Sequence, residues 1–318
     1  MKLKDLYQAI IEIGQRNDPR GIDHVREVLA RLQKDYSELS PAKQDFFDRD
    51  RLDNPYADTR ILNGDPEQEV KSAMVGVDVE VGEILLADRL RAKGLSVDLL
   101  ISHHPEGKAY AGFYHVMEMQ ADILHKFGVP INVAEALVAE RMGEVERKVM
   151  PANFSRAVDA ARLLEIAMLC AHTPADNCVT TWLQRLLEDR RPVTVREIIA
   201  VLGEIPEYRF AIADNCPPRC VVGEEKRRGG RIFVDMTGGT EGPKEALAKL
   251  VEAGVGTLVS MHISPDNVKK AKEHNLNVVV AGHIASDNLG LNLLLDQLSA
   301  RWPLEVIACS GFKRFSRL

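Results

Sequence analysis

Val97-Asp98-Leu99-Leu100-Ile101-Ser102-His103-His104-Pro105 reads as a buried strand that ends in two adjacent imidazoles. Upstream, residues 73–79 form a short β-branched strand candidate. Residues 83–93 read as a helix closed by Gly94. Strand, helix and strand within so short a span make a βαβ unit and imply a parallel pair. In open sheets of this kind, sites form outside the carboxyl ends of the strands. A second apolar run ends the same way far downstream. It is Asn277-Val278-Val279-Val280-Ala281-Gly282-His283, with Asp287 four residues later. If a helix begins at His283, that spacing puts imidazole and carboxylate on one face. Gly282 permits an unusual φ at the turn.

Each pair has a plain structural reading. A histidine at a strand end is commonly packed or hydrogen-bonded, and Ser286 and Asp287 suit helix caps. Two independent strand-end coincidences favour a metal site. A third segment lies between them, Cys170-Ala171-His172-Thr173-Pro174-Ala175-Asp176, and offers Asp176 as a carboxylate or as a turn residue beside Pro174.

The remaining elements follow from periodicity. Leu6, Ile10 and Ile13 recur at helical spacing, as do Val25, Val28, Leu29 and Leu32 after a break at Asn17-Asp18-Pro19. Ser40-Pro41 marks another helix start. Residues 53–65 read as loop, 116–127 as helix, 129–133 as strand and 136–169 as helix broken near Pro151. Strands are expected at 231–235, 256–260, 277–281 and 304–308, with helices at 244–253, 267–274 and 289–298. No internal repeat is evident. The expected architecture is α/β: a helical N-terminal extension (1–65) and two α/β lobes (66–190 and 191–318) with mostly parallel or mixed sheets.

The 318 residues suffice for two domains, and 45% hydrophobic with 28% charged residues fits a globular chain with a real core. A net charge of -6 and only 5% aromatic residues argue against a nucleic-acid binder. No apolar stretch approaches a membrane span, and no secretory signal is evident. Five cysteines in no regular framework suggest a reduced, cytoplasmic protein. Cys216 and Cys220 read as incidental loop thiols. The turn from Gly238 to Lys244 lacks the Gly-Lys-Ser/Thr of a P-loop and reads as a tight structural turn.

Ser-His-His-Pro at 102–105, Ala-His-Thr-Pro-Ala-Asp at 171–176 and Ala-Gly-His-Ile-Ala-Ser-Asp at 281–287 resemble signatures of the NGG-interacting-factor-three-like family, often labelled type 2 GTP cyclohydrolase-like. Val75-Gly76-Val77-Asp78 and the turn from Asp235 to Gly242 are similar to further family features. The resemblance covers roughly residues 70–318. It implies a dinuclear metal centre in a cleft between two lobes, with His103, His104, Asp176, His283 and Asp287 as ligands and Asp176 bridging. It also implies a homo-oligomer, commonly a hexamer. Three departures stand out. Asp287 replaces the usual glutamate, the stretch between His104 and Asp176 is longer, and the helical preface has no clear counterpart. The longer stretch leaves Glu135 as the alternative middle carboxylate.

Imidazole and carboxylate ligands suit two divalent ions drawn from Zn, Fe, Mn, Co or Ni. The expected chemistry is hydrolysis of a ring, amide or phosphoryl centre by a metal-bound hydroxide. Glu106, His172 and His262 are spare groups that fit either proton transfer or plain structural roles. The alternative is a non-catalytic metal carrier or regulatory scaffold.

Overall fold

The computed structural model describes all residues, 1–318. The strand ending in the histidines is β3 (Leu99–Ser102), third in chain order after β1 (Arg60–Asn63) and β2 (Ser72–Gly76). With β4 (Ala167–Cys170) and β9 (Glu305–Ala308) these form a five-stranded sheet of order β1-β4-β3-β2-β9, in which only β1 runs antiparallel to its neighbour. The second sheet has order β5-β8-β7-β6, from β5 (Arg219–Val222), β6 (Arg231–Asp235), β7 (Val255–Ser260) and β8 (Asn277–Val280). Here β5 is the antiparallel edge.

The helices are α1 (Leu3–Arg16), α2 (Ile22–Glu38), α3 (Pro41–Gln44), α4 (Val81–Ala92), α5 (Gly107–Ala111), α6 (Glu118–Lys126) and α7 (Ile131–Val149). They continue with α8 (Arg156–Leu163), α9 (Thr173–Arg190), α10 (Val195–Gly203), α11 (Pro206–Ala213), α12 (Ala246–Glu252), α13 (Pro265–Glu273) and α14 (His283–Ser299).

Strands buried on both faces explain the unbroken apolar runs. Leu99 and Ile101 of β3 join one core with Ala73 and Val75 of β2 and Leu169 of β4. Leu100, Met74 and Met168 face the other way, against α4 and α8. The first core is completed by Leu3, Leu6, Ile10 and Ile13 of α1, by Cys178 of α9 and by Leu291, Leu294 and Leu298 of α14. Val179 and Leu183 of α9 and Leu289 of α14 also enter a core with Val234, Val259 and Val279 of the second sheet. The paired helices α9 and α14 thus lie between the two sheets, and both begin where strands end.

Several expectations are corrected. The segment read as loop contains β1, whose Arg60 is fully buried and paired with Asp48 and Asp50. Residues 129–133 are not a strand: α7 begins at Ile131 and packs through Ala134, Val138, Val145 and Val149, a helical spacing that overrides the local β-branched preference. The helical stretch expected to reach 169 ends instead in β4. Cys220 lies in β5, not in a loop. β9, expected in the second lobe, pairs with β2 of the first sheet. Helices α6 and α7 lie in the core of the second sheet, with Phe233 and Leu258. The N-terminal helix is no appendage, because its Leu3, Leu6, Ala9, Ile10 and Ile13 are core.

There is also a repeat. The orders β1-β4-β3-β2 and β5-β8-β7-β6 are the same, with the same directions. After β4 the chain reads Ala171-His172, then Asp176-Asn177. After β8 it reads Gly282-His283, then Asp287-Asn288. Ser102 Oγ donates to the His104 carbonyl at 2.6 Å, and Ser260 Oγ to the His262 carbonyl at 2.9 Å. Divergence of all but a few side chains hides this duplication in the sequence.

Candidate metal centre

The site lies at the carboxyl ends of β3, β4 and β8. Backbone amides of His103 and His104 extend the ladder to Gly76 and Val77, so both rings leave the sheet end in fixed directions. His172 precedes α9 and Asp176 lies one turn on; His283 opens α14 and Asp287 lies one turn on. Asp287 is therefore inside the helix and is not a cap. Gly282 has φ +111°, a conformation that admits glycine and sets the start of α14.

The five residues expected at the site converge. His103 Nε2 stands 3.4 Å from Asp176 Oδ1 and 3.5 Å from Asp287 Oδ1. Asp287 Oδ2 is 3.5 Å from His104 Nε2 and 3.6 Å from His283 Nε2. The structure adds His172, whose Nε2 is 3.6 Å from Asp176 Oδ2. Three groups of possible ligands result: His103, Asp176 and Asp287; His104, His283 and Asp287; and His103, His104 and His172. Asp287, not Asp176, is the carboxylate common to two of them. Glu135 is exposed near the start of α7 and belongs to none.

Distances of 3.4–3.6 Å are long for hydrogen bonds. They suit two ligands of one ion: bonds of about 2.1 Å at tetrahedral angles separate donor atoms by about 3.4 Å. His103 Nε2, Asp176 Oδ1 and both oxygens of Asp287 are buried without a hydrogen-bond partner. Buried polar groups are rarely left so, and an ion would satisfy all of them. The donor set therefore fits a metal.

The other face of each ring is held. His104 Nδ1 donates to Asp78 Oδ1 at 2.7 Å, His172 Nδ1 to Asp58 Oδ2 at 2.7 Å, and His103 Nδ1 to the Ala171 carbonyl at 3.2 Å. Carboxylates and carbonyls only accept, so Nδ1 carries a proton in each ring and Nε2 faces inward, where a metal would take its lone pair. Asp58 also accepts from the Thr173 hydroxyl at 2.7 Å. Burial works to raise the Asp58 carboxyl, but His172 and Thr173 outweigh it and hold it below the usual range. Burial likewise opposes ionisation of Asp287, yet His103, His283 and His104 lower it. Burial disfavours a charged His103, but Asp287 and Asp176 raise it well above the ordinary value. His104 is lowered by burial and by His103.

Of the spare groups, His172 joins the cluster and His262 lies beside it, its ring centroid 4.9 Å from that of His283. Glu106 is pushed up to about 7 by burial and by Glu80. The turn from Gly238 to Lys244, read as structural, packs Gly238 against Gln120 and Gly239 against Val116. Asp58 escapes a reading by periodicity because it falls in the segment taken as loop. The repeat of His-x-x-x-Asp-Asn at 172 and 283 is the signal that flags His172.

Two α/β lobes with helices of both sheets between them, and a His/Asp cluster at the strand ends, are an arrangement similar to that of NIF3 superfamily proteins. Solved structures agree in fold. A NIF3 superfamily protein from Sphaerobacter thermophilus is 27% identical, with TM-score 0.70 over 80% of this chain and 92% of that one. The protein ybgI, of unknown function, aligns at 16% identity and TM-score 0.52 over 98% of both chains. Reduced HcgD from Methanocaldococcus jannaschii aligns at 18% identity and TM-score 0.50, over 78% of this chain and 87% of that one. The last two likenesses concern the fold alone. No protein-family model matches the chain, and no curated protein does. No helix is long and apolar enough to cross a membrane.

Proposed function

We propose that the protein holds two divalent ions and acts as a metal-dependent hydrolase. The observation that carries this reading is Asp287, a buried carboxylate with neither oxygen hydrogen-bonded, faced by His103, His104 and His283. His103 and Asp176 would hold one ion, His104 and His283 the other, with Asp287 shared and His172 beside the first. Such a pair supplies Lewis acidity and lowers the pKa of bound water. The chain's own part is to fix the rings through Asp58, Asp78 and Ala171, and to keep the carboxylates dry. His262, which lines the pocket next to His283, is placed to move a proton between solvent and that pocket.

The resemblance to a family of ring-shaped assemblies supports a homo-oligomer, commonly six chains. Five free cysteines support a reducing, cytoplasmic setting.

The test begins with chelated protein reloaded with Zn, Fe, Mn, Co or Ni and analysed for metal per chain. Two ions per chain are expected, with turnover of a phosphoester or cyclic amide that disappears in His103→Ala and His283→Ala. Stoichiometric metal without turnover on either class selects the carrier or scaffold reading. Failure to bind metal removes both. Sedimentation velocity measures the assembly.

A further inference from the structure

A pocket opens from the cluster into the second lobe. His172, Asp176, His283 and Asp287 of the cluster line it, together with Gln120, Asp235 and Glu241. Phe233, Leu247 and Leu258 supply an apolar wall. No lysine or arginine lines it. Arg141 touches only the outer side: its Nε donates to the Glu241 carbonyl, and its Nη1 is committed to Glu144.

Three polar side chains of the pocket, Gln120, Asp235 and Glu241, carry acceptors lacking donors. Gln120 is 6% exposed, and its Nε2 donates to the carbonyls of Gly238 and Thr240 at 2.7 Å each. That fixes the amide orientation and leaves Oε1 buried without a partner. Asp235, half-buried at the end of β6, makes no side-chain hydrogen bond or ion pair. Glu241 Oε1 accepts from the Ser264 amide at 2.8 Å, and its other oxygen is unengaged. In the first lobe the residue in register with Asp235 is Gly76, so this acceptor is particular to the second lobe. Unmet buried acceptors penalise any occupant that cannot donate.

We propose that this pocket receives a small molecule with an apolar or aromatic body and a nitrogen-borne donor edge, an amine or amidine-type group, held by Gln120 Oε1 and Asp235. The proposal rests on the hydrolase reading for where the rest of the molecule lies. A nucleoside polyphosphate is the wrong occupant, because charge extending beyond the ions would meet Asp235 and Glu241 with no cation to receive it. An amidine would give two parallel hydrogen bonds to a carboxylate and bury its ring on Phe233 and Leu258.

The test uses benzamidine and benzoate, near-isosteres of opposite hydrogen-bonding character, with GTP as a third probe. Calorimetric titration of the full chain, metal-free and zinc-loaded, measures each affinity. In metal-free protein, benzamidine is expected to bind at least tenfold more tightly than benzoate or GTP. Asp235→Asn should erase at least tenfold of that affinity while leaving metal content unchanged. Should Asp235→Asn not fold, Glu241→Gln reads the same preference, since its amide oxygen still serves the Ser264 amide. Benzoate or GTP binding as tightly as benzamidine, or benzamidine indifferent to the substitutions, overturns the proposal. Benzamidine preference in a protein that takes up no metal would sink the hydrolase reading and keep this one. Turnover confined to polyphosphates in metal-loaded protein would do the reverse.

Discussion

Asp58 Oδ2 accepts the Nδ1 proton of His172 at 2.7 Å, joining the segment before β1 to the residue after β4. The N-terminal part of the chain thereby reaches the cluster. Thr173 donates to the same oxygen, and the Thr59 hydroxyl receives the His172 amide at 3.2 Å. Replacing Asp58 with Asn removes the charge that fixes the tautomer of His172 and lets an amide NH2 face the ring. Loss of such a supporting carboxylate weakens metal binding by about 10–100-fold. Competition against a chromophoric chelator should show a drop of that size for Asp58→Asn. Unchanged affinity would mean that His172 is a bystander.

Asp287 should matter more than any single histidine, because its two oxygens face different imidazoles, Oδ1 that of His103 and Oδ2 those of His104 and His283. Asp287→Asn is expected to lose both ions. An ion that binds only the folded state stabilises it by about 2.7 kcal/mol at a hundredfold excess over its Kd. Chelation should therefore lower the melting temperature of the wild-type protein and leave that of Asp287→Asn unmoved. Elemental analysis and a thermal melt on the same samples check both halves.

Much of this centre is legible in the sequence because strand ends announce themselves. Apolar runs stopping at His103 and His283 fix where the sheets expose their edges, and the four-residue step to Asp287 fixes a helix face. Spacing alone leaves Asp176 open between ligand and turn residue; the family resemblance names it, and α9, starting immediately after β4, turns it toward His103. What stays hidden depends on long-range partners. β1 and β5 are short edge strands, whose pairing to β4 and β8 no local pattern records. β9 lies beside β2 at the other end of the chain. Residues 131–133 are β-branched or polar, and only the later spacing of Val138, Val145 and Val149 shows that they open a helix.

Asp235 gives the protein a stability profile that can be measured without any ligand. Burial, aided by Glu241, raises its carboxyl from the usual 3.8 to about 7. Between those values the folded chain binds more protons than the unfolded one, so its stability falls as pH rises through that window and levels off above it. Asp235→Asn lacks the ionisation. The variant should gain on the wild type as pH goes from about 4 to about 8, by a few kcal/mol at most, since a tenfold change in proton affinity between the two states is worth about 1.4 kcal/mol. Urea denaturation at the two ends of the range measures the difference. A constant gap, or one that shrinks, contradicts a raised Asp235 carboxyl.

Gly290 couples the helix pair to the cluster. A Cβ at this position of α14 would stand 2.6 Å from the carbonyl oxygen of Ala175 in the first turn of α9. That carbonyl is backbone and cannot swing aside, so Gly290→Ala must push the helices apart despite the better helix propensity of alanine. Overpacking of this kind costs about 1–3 kcal/mol. Ala175 adjoins Asp176, and Gly290 lies less than one turn from Asp287, so the displacement falls on the two carboxylates that face His103. Gly290→Ala should therefore weaken metal binding as well as folding. By contrast, Ile10→Val in α1, which thins the same core away from the cluster, should cost about 0.5–1.5 kcal/mol and leave metal affinity alone. Equal loss of affinity in the two variants would show that the metal responds to global stability. A loss confined to Gly290→Ala would place its control in the contact between α9 and α14.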